Sequence, residues 1–305
     1  MNLDPNGPDF VSAAVRDSGV FGNGVSNPDE KEPKVDQLDI SLERELATDL
    51  AVRVSALYSR NTDNYRALNT KRAYSDFNIP IANLDPGPDG RLGTGDDTGK
   101  TITYFDYPAS LAGRLFQVPA LFNPPDSDSS FKTIEFAGSK RLSEGWQFQA
   151  SYSATKINVP YPDLADFNPN AEINTANNTW EWGAKASGTY VFPMDIATSA
   201  FVNHVSGAPQ ARTVLFTGGR QIPSLLVNVE PIGTLRLPST TTMDLRVEKS
   251  LSFGAARKLT VRASIYNMLN ANTVTARTVQ SGANYLRATA FIPPRFVEFG
   301  ASFNY

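Results

Sequence analysis

Apolar and polar residues alternate one by one along most of this chain, the period of a strand with two different flanks, while helical spacing is almost missing. The series opens with Asp36–Leu46, where Leu38, Ile40 and Leu42 stand against Asp39, Ser41 and Glu43. After Ala47-Thr48-Asp49 comes Leu50–Ser59, with Leu50, Val52, Val54, Ala56 and Tyr58 on one flank. Three further pairs follow: Ser130–Leu142 with Trp146–Thr155, Trp180–Phe192 with Asp195–Val205, and Thr240–Leu251 with Lys258–Asn267. The clearest member is Trp146–Thr155, where Trp146, Phe148, Ala150, Tyr152 and Ala154 alternate with Gln147, Gln149, Ser151, Ser153 and Thr155. Arg295–Tyr305 ends the series, with Val297, Phe299, Ala301, Phe303 and Tyr305 against Glu298, Gly300, Ser302 and Asn304. A short hairpin around Thr213–Phe216 and Leu225–Val229 is expected within the segment from Ser206 to Ser239.

The connections are as regular as the strands. Each tight turn of a few residues is followed by a long polar segment: 60–128, 156–179, 206–239 and 268–294. Barrels of the bacterial outer membrane alternate in this way, with short periplasmic turns and long extracellular loops. The strands run to about ten residues, enough to cross a bilayer at a tilt, whereas strands of soluble proteins average about five or six. Aromatic residues gather near strand ends (Tyr58, Trp146, Trp180, Trp182, Phe192, Phe303, Tyr305), where the girdles of a barrel meet the membrane interface. The fold expected is therefore all-β, an antiparallel transmembrane β-barrel. About nine long strands is an odd number, whereas single-chain bacterial barrels have even ones, so an open partial barrel is expected.

Composition narrows the function. A net charge of −3 gives no basic excess suited to nucleic acid. No stretch reaches the roughly 18–20 apolar residues that a membrane helix needs, and a mean hydropathy of −0.29 is compatible with strands that put every second residue in lipid. There is no cysteine, hence no disulfide or thiolate metal site. Met1-Asn2-Leu3-Asp4-Pro5-Asn6 has neither the basic start nor the apolar core of an export signal.

Candidate chemistry is sparse. Asp85, Asp89, Asp96 and Asp97, spaced by glycines within 85–97, are the candidate side-chain ligands of a calcium loop, since calcium takes six to eight oxygens on a turn-permissive backbone. The segment lacks the closing bidentate Glu of an EF-hand and reads equally as a solvated loop rich in turn residues. His204 is the sole histidine, which argues against histidine metal clusters and histidine-based triads. Neither a phosphate loop nor a dinucleotide fingerprint occurs, and no enzyme activity and no other cofactor are expected. The loop aromatics Tyr65, Tyr74, Phe77, Tyr104, Phe105, Tyr107 and Tyr161 are suited either to stacking on a ligand ring or to packing loops together.

The sequence from about Asp36 onward resembles the end of TonB-dependent outer-membrane transporters, especially their Oar-like branch. The resemblance rests on Val229-Glu230-Pro231, Leu237-Pro238-Ser239, Met243-Asp244-Leu245-Arg246-Val247-Glu248-Lys249, the stretch from Ile265 to Val274, and the strand ending at Tyr305. The stretch from Lys140 to Phe148 and Ser206-Gly207-Ala208-Pro209 are similar too. The resemblance implies a parent barrel of about 22 strands closed around a plug, in the outer membrane and driven by the TonB complex. On that basis residues 1–34 are expected to be irregular and residues 35–305 to be the C-terminal part of the barrel, with the plug outside this chain. Implied partners are outer-membrane lipid, the barrel-assembly machinery reading Val297, Phe299, Phe303 and Tyr305, the TonB complex through the plug, and a transported ligand. Two other readings fit the pattern: a small autonomous pore or structural barrel, closed by a further strand from residues 10–16, and a secreted calcium-binding β-sandwich adhesin.

Overall fold

The alternation is realised as one antiparallel meander. The computed structural model describes residue 25 and residues 27–254 and 257–305. Most of the N-terminal segment 1–34, and the strand expected from residues 10–16, lie outside the described residues. Nine long strands form a single sheet in strict chain order: β1 (Lys34–Ala47), β2 (Leu50–Thr62), β3 (Ser129–Ser143), β4 (Trp146–Asn158), β5 (Trp180–Phe192), β6 (Ile196–Val205), β7 (Thr240–Phe253), β8 (Arg257–Tyr266) and β9 (Phe296–Asn304). Eight of these have 10 to 15 residues, and β9 has nine. Among the described residues β1 and β9 are the two edges, and the barrel is open between them.

Tight turns all lie at one end. Glu144 and Gly145 connect β3 to β4 with positive φ at both positions, 52° and 83°, the backbone of a type I′ hairpin turn. Gly145 is required there, because a Cβ would approach the Val191 carbonyl oxygen to 3.1 Å on a left-handed backbone. The β5–β6 turn likewise places Met194 and Asp195 at φ 69° and 57°.

At the other end run four long connections: L1 (63–128), L2 (159–179), L3 (206–239) and L4 (267–295). They are not structureless. The hairpin expected in L3 is present, Thr213–Thr217 pairing with Ser224–Asn228. L1 contains two unforeseen pairings, Arg66–Asn69 with Pro119–Phe122 and Ile79–Leu84 with Thr101–Asp106. L4 holds a third, Val274–Arg277 with Ala288–Phe291.

The hydrophobic core of the described residues lies in these loops and not in the sheet. Tyr104, Val214, Phe216, Val227 and Val229 form a buried cluster, with Ile81, Ile102, Ile173, Ile222 and Leu225 packed around it. Burial of this kind contributes roughly 1.5–3 kcal/mol per large apolar side chain, so the loops hold together as one cap.

Candidate functional site: the two flanks of the sheet and the loop cap

Because side chains alternate along every strand and the register is continuous, each row across the sheet stays on one flank. One flank carries rows such as Leu42, Val54, Phe136, Tyr152 and Ala184, and Ile40, Ala56, Ile134, Ala154 and Trp182. The opposite flank carries Glu43, Arg53, Ala137, Ser151 and Lys185, and farther on Glu248 beside Arg262. On this wet flank Arg53 Nη2 meets Glu135 Oε1 at 2.8 Å, and a trough of about 420 Å³ runs past Glu43, Gln149, Ser151 and Lys185.

No second sheet covers the apolar flank among the described residues, and Leu42 remains 73% exposed and Phe299 81%. A sandwich would have sealed these side chains inside. Lipid is the other surrounding in which such a flank is stable, since leaving every second residue of nine strands apolar against water is unfavourable.

Aromatic rings mark both rims of that flank. Near the tight turns, Trp146 lies 5.9 Å from Phe148, Tyr190 lies 4.6 Å from Phe192 and Phe303 lies 6.3 Å from Tyr305, ring centre to ring centre. Tyr58, Trp180 and Trp182 stand at the loop end. The proposed assembly residues fall on the same flank of β9: Val297 opposite Ile265, Phe299 opposite Ala263 and Phe303 opposite Leu259, with Tyr305 just beyond the strand.

All four loops are tied together by buried polar contacts. Arg212 of L3 and Asp85 of L1 are each nearly inaccessible, and the guanidinium grips both carboxylate oxygens, with Nη1 to Oδ1 at 2.7 Å. Arg212 also reaches Ser281 Oγ of L4 at 3.0 Å and Glu230 Oε1 at 3.4 Å. Burial works against the charge of Asp85, but hydrogen bonds from Arg212, Thr98 and the Gly87 amide outweigh it and hold the carboxyl below the usual range.

Asp106, also buried, has no cation among the described residues and instead accepts from four backbone amides, those of Tyr107, Arg220, Gln221 and Ile222, at 2.6–3.1 Å. Burial again opposes its charge and the amide bonds prevail, so its pKa too is lowered. Tyr104 completes this seat: its hydroxyl accepts from the Gly219 amide at 2.8 Å and donates to the Ile222 carbonyl at 3.1 Å.

L1 and L2 are joined by Arg66, almost fully buried, which donates to Glu172 Oε1 at 2.9 Å and to the Asp166 carbonyl at 2.8 Å while lying 3.9 Å from the Tyr161 ring centre. Tyr161 donates to Asp126, and burial together with that bond pushes its pKa up to about 12. L2 and L3 exchange Asn174 and Asn228, each side-chain amide donating to the other's backbone carbonyl. L4 joins through the Gly282 amide, which donates to the Pro88 carbonyl of L1 at 2.9 Å.

Most loop aromatics serve this packing. Tyr74 lies 5.1 Å from Phe167, Phe77 lies 5.6 Å from Tyr107, and the backbone of Phe105 is clasped by Asn170 on both sides. Tyr65 stands beside Glu30 and Glu32, and burial is the main cause raising its pKa.

The four aspartates of the candidate calcium loop are used within the protein. Asp85 faces Arg212. Asp89 accepts from the Arg91 amide at 2.8 Å, Asp96 from the Asp89 amide at 2.9 Å and Thr94 Oγ1 at 2.6 Å, and Asp97 from the Gly93 amide at 2.7 Å. These are turn-closing contacts. Among the described residues no group of three or more His, Cys, Asp or Glu side chains is arranged to hold a metal ion. Arg212, the partner of Asp85, could not be foreseen from the sequence, because an ion pair spanning 127 residues leaves no local signal.

Comparison with solved structures finds outer-membrane transporters. The chain is similar to the outer membrane transporter YddB from Escherichia coli, at 12% identity and a TM-score of 0.51, over 92% of this chain and 34% of that one. It is similar also to the FrpB iron transporter from Neisseria meningitidis, at 13% identity and a TM-score of 0.50, over 93% of this chain and 33% of that one. The sequence matches no protein-family model and no curated protein. The fold is thus that of part of an outer-membrane β-barrel, and the chain spans about a third of the length of the transporters it matches. Among the described residues no helix is long and apolar enough to cross a membrane, and the two-sided sheet fits an outer-membrane address.

Proposed function

We propose that this chain supplies barrel wall and extracellular loops to a TonB-dependent, Oar-like outer-membrane transporter that imports a bulky nutrient. The observation that carries the reading is the polarity of the sheet along its axis: every described tight turn is at one end, and every long connection joins a single cap at the other. In that arrangement the apolar flank meets lipid, and Glu43, Arg53, Glu135, Lys185, Arg246, Glu248 and Arg262 face a wet lumen large enough to hold a plug. The cap is a receptor surface ordered before its ligand arrives, which lowers the ordering cost of binding. Energy would come from the inner membrane through TonB and a plug outside the strands described here. The barrel-assembly machinery would read Val297, Phe299, Phe303 and Tyr305 on the terminal strand.

The test is made on the complete transporter expressed in outer membranes. It is expected to resist carbonate extraction, to shift in mobility on heating, and to be retained by immobilised TonB periplasmic domain. Release into the carbonate wash would overturn the barrel. Membrane retention without TonB capture would overturn the energy-coupled reading and leave a passive barrel.

A further inference from the structure

On the lipid-facing flank, at the loop end, one row of the sheet reads Tyr58, Lys132, Lys156, Trp180 across β2 to β5. Lys132 and Lys156 are direct cross-strand neighbours, a placement that holds their Cβ atoms about 4.5–5.5 Å apart. Like charges opposed in this way repel, and the row immediately toward the membrane centre, Ala56, Ile134, Ala154 and Trp182, is wholly apolar.

Two other cations at this end of the sheet have carboxylates. Lys34 Nζ lies 2.9 Å from Asp63 and Arg60 Nη2 lies 2.7 Å from Asp128. At the opposite rim Lys140 folds back onto Ser143 and the Trp146 ring, and Lys249 donates to the Met194 carbonyl. The central pair differs. Among the described residues Lys156 donates only to the neutral Asn178 carbonyl, at 2.8 Å, and lies 6.0 Å from the Trp180 ring centre. Among the described residues Lys132 makes no hydrogen bond or ion pair. Both lysines sit on interior strands, so the strands on either side of them are in place and bring no acid to this row.

We infer that Lys132 and Lys156 form a site for the phosphate of an outer-leaflet lipid headgroup, an inference that rests on the membrane placement proposed above. A phosphate between two ammonium groups relieves their repulsion and accepts a charge-assisted bond from each. Tyr58 and Trp180 flank the pair at headgroup depth, as interfacial aromatics do. The apolar row beneath receives acyl chains, which a soluble anion lacks. Charge complementarity and the adjoining apolar surface therefore select an amphiphile with a phosphorylated headgroup.

The test uses the complete transporter in uncharged maltoside micelles, titrated with diphosphorylated lipid A, with lipid A stripped of both phosphates, and with inorganic phosphate. Bound ligand is read by native mass spectrometry. Diphosphorylated lipid A is expected to bind, with Lys132→Gln/Lys156→Gln weakening it about tenfold or more. Lys132→Arg/Lys156→Arg is expected to retain it, and Lys185→Gln on the wet flank to leave it unchanged. Equal binding by the Gln pair and the parent, equal binding of the stripped lipid, or inorganic phosphate binding as well as the lipid would each overturn the site. Carbonate resistance of the Gln pair is measured alongside; its loss from the parent as well would instead count against the barrel reading.

Discussion

Asp85 and Arg212 place two opposite charges in nearly complete burial, where removing one partner strands the other. Such a loss costs about 3–5 kcal/mol, whereas an apolar pair of similar volume is often neutral. Arg212→Met is therefore predicted to speed amide exchange across residues 213–229 roughly a hundredfold or more, while Arg212→Met with Asp85→Leu recovers most of the protection. Unchanged exchange in the single variant would contradict the bridge as the tie between L1 and L3. Acid acts on the same seats. Asp85 and Asp106 both have pKa values lowered by folding, so they stabilise the cap at any pH above the unfolded value of about 3.9. That stability disappears only as pH falls through their lower folded values. Limited proteolysis of the loops should be constant from pH 7 to about 4 and should rise sharply below it. Asp106→Asn should loosen residues 218–222 already at neutral pH, costing about 1.5–3 kcal/mol for each charge-assisted bond lost. Loosening of the parent between pH 7 and 5 would contradict this account.

At the scale of elements, the long strands were legible and the cap was not. Expected bounds such as Asp36–Leu46 and Thr240–Leu251 differ from the observed Lys34–Ala47 and Thr240–Phe253 by two residues or fewer, because an apolar flank against lipid enforces period two over the whole span. Inside L1 the strands have four to six residues and are interrupted by proline, glycine and aspartate, so alternation had no length in which to appear. Their partners also lie far off in sequence, as Arg66 and Phe122 do. The tight turns, by contrast, are local. Gly145→Ala forces a Cβ onto a φ of 83° and is predicted to cost about 1–2 kcal/mol, seen as a lower urea midpoint in micelles. An unchanged midpoint would contradict the type I′ assignment. Deleting Phe303–Tyr305 from the complete transporter removes the end of the lipid-facing row on β9, and the expected result is loss of heat-modifiable protein from the membrane. Normal levels would show that assembly does not depend on this end.

For the whole molecule, the placement of the core is the main lesson. The fully buried apolar side chains gather in the loops, and the sheet leaves its own apolar residues uncovered. Water would not support that distribution, while a bilayer supplies the missing half of the packing. This chain has no cysteine, so single cysteines introduced along β4 meet no background from within it. In the complete, membrane-inserted transporter, cysteines at Gln149, Ser151 and Ser153 are predicted to react with a water-soluble maleimide, and those at Ala150, Tyr152 and Ala154 to resist it while spin labels there collide with membrane-dissolved oxygen. Reactivity without a two-residue period, or labels at Ala150, Tyr152 and Ala154 that are shielded from oxygen, would contradict the lipid-facing flank and with it the transporter barrel.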